Sequence, residues 1–284
     1  MNTGTRLSVL RMCEVAGFSR VGYYRFLDPE KPAPADMDLR DEMQKIALGW
    51  PSYGSRRMTR ELKARGWEVN RKRVQRLMRE NNLLCVRKRK FVVTTDSAHG
   101  LKVYPNLASS MILTGVDQLW VADITYIRLE EEFVYLAAIL DAYSRRVIGW
   151  HISDGLDDSL TLTALRMALE QRVVQPGLVH HSDRGVQYAS GDYTDLLKAN
   201  GIGISMSRKG NPWDNAGCES FMKTLKYEEV YRSEYRNLAE ARARIGEFLE
   251  RVYNEKRLHS ALDYRSPAQF ESTLTPRVVA RMSA

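Results

Sequence analysis

The spacing of apolar positions changes near residue 115 of this 284-residue chain. Before that point apolar residues recur every three or four positions, which is typical of helices. After it come runs that are rich in β-branched and aromatic residues and are separated by short connections, which is typical of strands. The pattern predicts small helical modules followed by a larger mixed α/β unit.

Two helix-turn-helix modules are predicted before the change. In the first, residues 7–27, two short helices flank Gly17 and Ser19 caps the second helix, although a generic helical hairpin has the same pattern. A proline-rich linker at 28–36 leads to a helix that is expected to start near Met37. In the second module, residues 53–84, one helix ends at Gly66 and Asn70 caps the next. The inner face of that last helix is predicted to be Val74, Leu77 and Met78.

The second half reads as three strands, in DQLWVADITYI, EFVYLAAILDAYS and RRVIGWHISD. A helix at about 157–172, a strand in GLVHHSD, a helix at 191–200, a strand in GIGISMS and a further helix follow. This order predicts a mixed sheet whose first strand is central, antiparallel to the second strand and parallel to the fourth. The predicted division of the chain is 1–35 helix-turn-helix with linker, 36–90 basic helix-turn-helix, 91–114 linker, 115–272 catalytic core and 273–284 tail.

Charge is distributed unevenly along the chain. The net charge of +8 arises wholly from residues 1–110, which hold 22 basic and 11 acidic residues. Residues 56–90 alone hold 14 basic and 3 acidic residues, a density that indicates nucleic acid as the partner, with a merely basic surface as the alternative. The predicted DNA contacts are Arg56, Arg57, Arg71, Arg73 and Arg76.

Composition also limits the location and the kind of metal site. No apolar run reaches the roughly 20 residues of a membrane helix, and the polar N-terminus does not resemble a secretory signal, so we expect a cytoplasmic protein. The three cysteines and five histidines show no zinc-ligand spacing. Any metal site is therefore expected to consist of oxygen ligands.

Three acids in the second half are candidates for such a site. Asp123 lies within the first predicted strand, where a charge is costly unless it is paired or binds a metal ion. Asp183 ends the fourth strand, and Glu219 lies on a later helix that can return across the same edge. Convergent carboxylates suit two Mg²⁺ or Mn²⁺ ions in phosphoryl transfer. On the same helix, Lys223 and Lys226 follow Glu219 at helical spacing, as in an ion-pair ladder or a phosphate-binding face.

These residues carry a resemblance to a known family. The stretches WVADITYI, HSDRGVQY, SRKGNPWDNAGCESFMKTLK and YNEKRLHSALDYRSPAQF resemble bacterial insertion-sequence transposases of the IS-three family, second-reading-frame type, in the superfamily of DDE transposases and retroviral integrases. The resemblance implies an RNase H-like core in which Asp123, Asp183 and Glu219 bind metal and catalyse. It also assigns a basic residue to the position of Lys226, and it places Arg257 and His259 near DNA.

The expected function is therefore DNA transposition: metal-dependent strand cleavage followed by strand transfer. Two alternatives stay open, an RNase H-like nuclease without strand transfer and a non-enzymatic DNA-binding regulator. The expected partners are double-stranded DNA, namely the terminal inverted repeats and the target, and a second copy of the chain during joining. The resemblance also implies the product of an upstream reading frame as a further partner, because family members are often made as a fusion with it and this chain shows no sustained heptad repeat of its own.

Overall fold

The computed structural model describes residues 8–17, 19–20, 23–24, 34–83, 101–208 and 215–274. The chain divides into two compact units, residues 1–84 and 85–284, which are described separately below. Within the described parts of the chain, no helix combines the length and the apolar character that a membrane crossing requires.

The described part of the first unit is helical. Its helices are α1 Val9–Ala16, α2 Pro34–Gly49, α3 Ser55–Ala64 and α4 Arg71–Glu80. The prediction for the second module is confirmed: Gly66 adopts a left-handed backbone with φ of 87°, and the Asn70 side chain accepts the Arg73 N–H at 2.8 Å. The inner face of α4 is buried as expected.

In this unit, α2 begins earlier than expected from the sequence, and the first helix-turn-helix module is described only in part. Helix α2 begins at Pro34 and not near Met37, because proline suits the first turn of a helix, where its missing N–H costs nothing. In the first module, α1 is present with Ser8 as its cap, whereas most of the predicted second helix lies outside the described residues.

The second unit is built on a five-stranded sheet. Its strands are β1 Leu119–Arg128, β2 Phe133–Asp141, β3 Val147–Ser153, β4 Val179–Ser182 and β5 Gly203–Met206. Its α-helices are α5 Asp158–Gln171, α6 Val186–Ala189, α7 Gly191–Ala199, α8 Ala216–Glu228, α9 Leu238–Glu247 and α10 Pro267–Leu274. A π-helical turn, Phe248–Asn254, continues directly from α9.

The strand order is β3-β2-β1-β4-β5, with β1 central. Strand β1 pairs antiparallel with β2 along its whole length and parallel with β4 over Leu119–Val121 only. The predicted fold class, a mixed-sheet α/β core of RNase H type after small helical modules, is confirmed. Because β4 is short, β1 has no strand partner on that side, among the described residues, from Ala122 onward, a stretch that includes Asp123.

Each face of the sheet carries its own apolar layer. On one face, Val121, Ile127 and Leu136 pack with residues of α8 and α9, and on the other face, Trp120 and Ala122 pack with residues of α5 to α7. The alternation of side chains along β1 places Asp123 on the face that α8 covers.

The segment before β1 contacts the far edge of the sheet. The Ser205 hydroxyl on β5 accepts the Leu107 N–H at 2.8 Å, and the Pro105 carbonyl accepts the Met206 N–H at 3.4 Å. Residues 105–107, which the sequence pattern assigns to a linker, thus bind to the catalytic unit.

Candidate active site

Asp123 lies on the central strand just beyond the last residue that pairs with β4. Its carboxylate accepts the Ile124 N–H at 2.9 Å and is partly buried. Burial raises the pKa of Asp123 to about 7, the charge of Asp183 adds to this, and Glu219 contributes further. A carboxylate this costly to ionise is typical of a functional site.

Asp183 follows β4 directly. Its Oδ1 accepts the Gly185 N–H at 2.9 Å, and Gly185 is the residue before α6. The neighbouring Arg184 donates from Nε to the Ser207 carbonyl at 2.7 Å. The loop that carries Asp183 is therefore held by its own backbone and by the end of β5.

Glu219 lies in the first turn of α8. The helix packs on the sheet through Cys218, Phe221 and Leu225. The structure thus brings the third acid to the face of β1 that carries Asp123.

Two groups with raised pKa values lie among these acids. Burial raises the pKa of the Cys218 thiol, and the charges of all three acids raise it further. Burial likewise raises the pKa of the Tyr188 phenol, followed by the charges of Tyr193, Asp123 and Asp183. Asp123 and Asp183 therefore act on both groups, and Glu219 acts on Cys218. Cys218 is completely buried, so it packs as an apolar group.

Asn215 and Asp214 stand before α8, and the sequence predicts that one of them caps this helix. The Asn215 side chain, however, makes no capping hydrogen bond. Its Nδ2 instead donates to the Ala122 carbonyl at 3.0 Å, which ties the start of α8 to β1 beside Asp123. Asp214, the alternative cap, lies outside the described residues.

Asn215 Oδ1 and the Tyr188 hydroxyl are buried atoms that have no hydrogen-bond partner among the described residues. The sequence reasoning missed Tyr188, although it belongs to the HSDRGVQY stretch, because a tyrosine after a turn has no distinctive spacing. Two such atoms around an acid cluster are typical of a site that takes up a ligand or water.

The two lysines of α8 differ in their contacts. Lys223 is exposed, and its Nζ lies 3.7 Å from Glu219 Oε2. The Lys226 Nζ lies 4.4 Å from the ring centroid of Tyr126 on β1. Burial lowers the pKa of Lys226, while the charge of Asp123 opposes this. Lys223 thus pairs with an acid, whereas Lys226 faces an aromatic ring near another acid.

The donor set fits a hard divalent cation. All three acids supply oxygen ligands, and burial with two neighbouring acids makes the ionised form of Asp123 costly unless a cation is bound, as the raised pKa of Asp123 shows. Among the described residues, no three His, Cys, Asp or Glu side chains are already arranged to hold a metal ion.

The two histidines that precede Asp183 on β4 make hydrogen bonds with neighbouring hydroxyl groups. His180 Nε2 pairs with the Tyr193 hydroxyl at 2.9 Å. His181 lies between two serines, with Nδ1 2.8 Å from Ser205 Oγ and Nε2 3.0 Å from Ser207 Oγ.

The expectation that Arg257 and His259 contact DNA finds no support in their positions, because both are buried. The Arg257 guanidinium donates to both carboxylate oxygens of Glu228, at 2.7 and 2.8 Å. The His259 ring packs edge-on against Tyr253, with centroids 4.8 Å apart. Their polar groups serve the interior of the protein.

In the first unit, the predicted DNA-contact arginines are in different environments. Arg56 and Arg71 are exposed, and the Arg57 guanidinium lies 5.6 Å from the Tyr53 ring centroid. Arg73 binds Asp36 at 2.6 Å and Arg76 approaches it at 3.5 Å, so α4 is fastened to α2 by two of its arginines.

Three regions of the chain match known protein families. Residues 114–212 and 200–267 each match a family described as "Integrase core domain", and residues 34–91 match "HTH-like domain". Among solved structures, the HTLV-2 integrase catalytic core domain in complex with magnesium (trimeric form) is similar with a TM-score of 0.42 and 14% identity, covering 55% of this chain and 96% of that one. The class is an integrase-type catalytic core with a helix-turn-helix-like domain.

Two relatives are similar over nearly the whole chain. "Insertion element IS600 uncharacterized 31 kDa protein" of Shigella sonnei is 42% identical over 266 residues, 91% of this chain and 97% of the relative. "Transposase InsF for insertion sequence IS3A" of Escherichia coli (strain K12) is 36% identical over 271 residues, 93% and 94% respectively. The chain belongs to this family of insertion-sequence transposases, a branch of the DDE polynucleotidyl transferases, which confirms the predicted family and enzyme class.

Proposed function

We propose that Asp123, Asp183 and Glu219 are the catalytic acids of this transposase and hold two Mg²⁺ or Mn²⁺ ions while DNA is cut and joined. The proposal is supported by the arrangement of the three acids: Asp123 lies on the central strand β1, Asp183 follows the parallel neighbour β4, and α8, which carries Glu219, packs on the face of β1 that carries Asp123. When bound, the two ions would activate the attacking oxygen and stabilise the charge on the leaving oxygen.

The protein's own residues hold this arrangement in place. The N–H groups of Ile124 and Gly185 fix the carboxylates of Asp123 and Asp183, and Asn215 fastens the start of α8 to β1. Hydrogen bonds of this kind restrict the carboxylate rotamers, so fewer side-chain orientations are lost on binding. Lys226 would place its charge next to the phosphate that reacts, and Lys223 would offset the charge of Glu219.

The DNA substrate is proposed to be the two terminal inverted repeats of the element and then the target duplex. Residues 36–90 would recognise the repeats, residues 115–272 would catalyse, and 91–114 would connect them. Joining two ends calls for at least two copies of the chain in the reacting complex, with the upstream-frame product as a further partner. Because these two relatives are bacterial proteins, we propose that the chain acts on the nucleoid DNA in the cytoplasm.

The test is a set of charge-removing variants of equal shape: Asp123→Asn, Asp183→Asn and Glu219→Gln. Each is expected to abolish cleavage and joining of a terminal-repeat oligonucleotide in Mg²⁺, because each removes one ligand charge. Binding of the same oligonucleotide should change little. Asp195→Asn is the matched control, since Asp195 is an exposed acid that pairs with Lys198.

Near-normal strand transfer by any of the three variants would remove that residue from the site. Cleavage without joining by the unaltered protein would instead favour a nuclease. DNA binding without either reaction would favour a regulator.

A further inference from the structure

Four aromatic residues lie together beside the candidate active site, and we call them the aromatic platform: Tyr126, Phe133, Tyr227 and Tyr231. Tyr126 and Phe133 meet edge-to-face with centroids 5.8 Å apart, and Tyr227 and Tyr231 do so at 5.5 Å. Lys226, the residue before Tyr227 on α8, has its Nζ 4.4 Å from the Tyr126 ring centroid, so the two pairs adjoin.

Two of the four platform residues are exposed, and Tyr126 and Tyr227 are half-buried. Phe133 and Tyr231 are each 52% accessible to solvent. In an edge-to-face pair, one ring uses only its edge, and its faces remain open to another aromatic group. Exposed rings grouped in this way are typical of a recognition surface.

Two links join the platform to the acids. Tyr126 lies three residues beyond Asp123 on β1, so its side chain leaves the opposite face of the strand, in the stretch that has no β4 partner among the described residues. Lys226, the neighbour of Tyr227 on α8, lies over the Tyr126 ring and interacts with Asp123. Lys226 therefore connects the aromatic rings with the candidate active site.

The combination of open rings and an adjacent cation fits a nucleotide better than an apolar partner. A base stacks on an aromatic face whatever its identity, and a lysine nearby attracts the phosphate of the same nucleotide. A base within a duplex is already stacked on both sides, so only an unpaired base can use such a surface.

We propose that the aromatic platform stacks an unpaired DNA base adjacent to the phosphodiester on which Asp123, Asp183 and Glu219 act. This inference rests on the proposed function, because the position of the reacting bond defines which base is meant. The platform would hold the opened end of the element while the bond beside it reacts.

The experiment compares two terminal-repeat oligonucleotides of one sequence, one fully paired and one with two unpaired nucleotides at its end. The fluorescent base 2-aminopurine at the unpaired position reports stacking. The unaltered protein should bind the open end more tightly and quench its fluorescence. Tyr231→Leu and Phe133→Leu should each lose about 5- to 100-fold of that preference, the range expected for one lost base stack, and affinity for the paired DNA should stay unchanged.

The matched control is Tyr143→Leu, because Tyr143 also packs against an aromatic ring, that of Phe270, but at the opposite end of β2. This variant should keep both the preference and the quenching. Thermal unfolding verifies that each variant is folded. If one of the two platform variants does not fold, the other still tests the proposal.

Platform variants that retain the preference and the quenching would overturn the proposal. So would an unaltered protein that binds both DNA forms equally. Asp123→Asn separates this result from the proposed function: it should keep the quenching while losing cleavage. If Asp123→Asn cleaves normally, the catalytic assignment fails, and the quenching data still decide whether the platform stacks a base.

Discussion

Arg257 and Glu228 form a buried ion pair whose removal should weaken the catalytic unit. Their side chains are 4% and 7% exposed, and the guanidinium makes two hydrogen bonds to the carboxylate. Arg257→Met removes the cation that pairs with the buried Glu228 carboxylate. Glu228→Gln removes the anion that pairs with the buried Arg257 guanidinium. Loss of one member of a buried pair costs about 3–5 kcal/mol.

The expected shift in melting temperature follows from the size of the unit. For a unit of about 200 residues, each kcal/mol corresponds to about 2–4 °C, so we expect a loss of roughly 6–20 °C. Thermal unfolding followed by circular dichroism measures it. A double variant, Glu228→Leu with Arg257→Met, should recover much of the loss, because it leaves no buried charge unpaired.

Arg251→Met provides the control, since Arg251 is 70% exposed and lies 4.0 Å from Glu247. Exposed pairs contribute little to stability, so this variant should melt within a few degrees of the unaltered protein. If Arg257→Met melted at the same temperature as Arg251→Met, the buried pair would not stabilise the unit. A double variant less stable than either single variant would also contradict the reasoning.

The other predictions concern the basic helix and a buried histidine. Arg71→Ala should reduce the salt dependence of DNA binding by about one unit of slope. Arg73→Ala should reduce this slope less and should lower the melting temperature, because Arg73 binds Asp36. Binding titrations at several salt concentrations test this, and equal slopes for the two variants would refute it. His180 is fully buried, which lowers its pKa to about 3. Since the folded pKa lies below the unfolded value near 6.5, His180 contributes stability above pH 6.5 that is lost as the pH falls toward 3. His180→Asn should flatten the dependence of melting temperature on pH in that range, and an equally steep dependence in the variant would refute the assignment.

The local features of this protein could be predicted from its sequence. The position of Asn70 before a periodic apolar face predicted a cap, and the side chain makes that hydrogen bond. The apolar stretch around Asp123 predicted a buried strand, and the charged side chain within that strand indicated a candidate metal ligand. These predictions succeed because periodicity and capping depend on residues within a few positions of each other.

The order of the strands and the approach of the acids could be expected in outline. A central first strand with a parallel fourth strand follows from the order of strands and helices, and it brings the ends of β1 and β4 together. Spacing along the chain, however, does not give the distances between side chains in the folded protein. That Cys218 and Tyr188 lie among the acids became visible only in three dimensions.

The partners of individual polar side chains were decided by the tertiary structure alone. Arg73 and Arg257 both read as candidates for DNA contact, yet Arg73 binds Asp36 on another helix and Arg257 is buried against Glu228. Asn215 reads as a helix cap but donates to the Ala122 carbonyl on β1. An arginine or an amide has the same composition and spacing whether it faces solvent or the interior, and only the packing of distant elements determines which polar group lies within hydrogen-bonding distance.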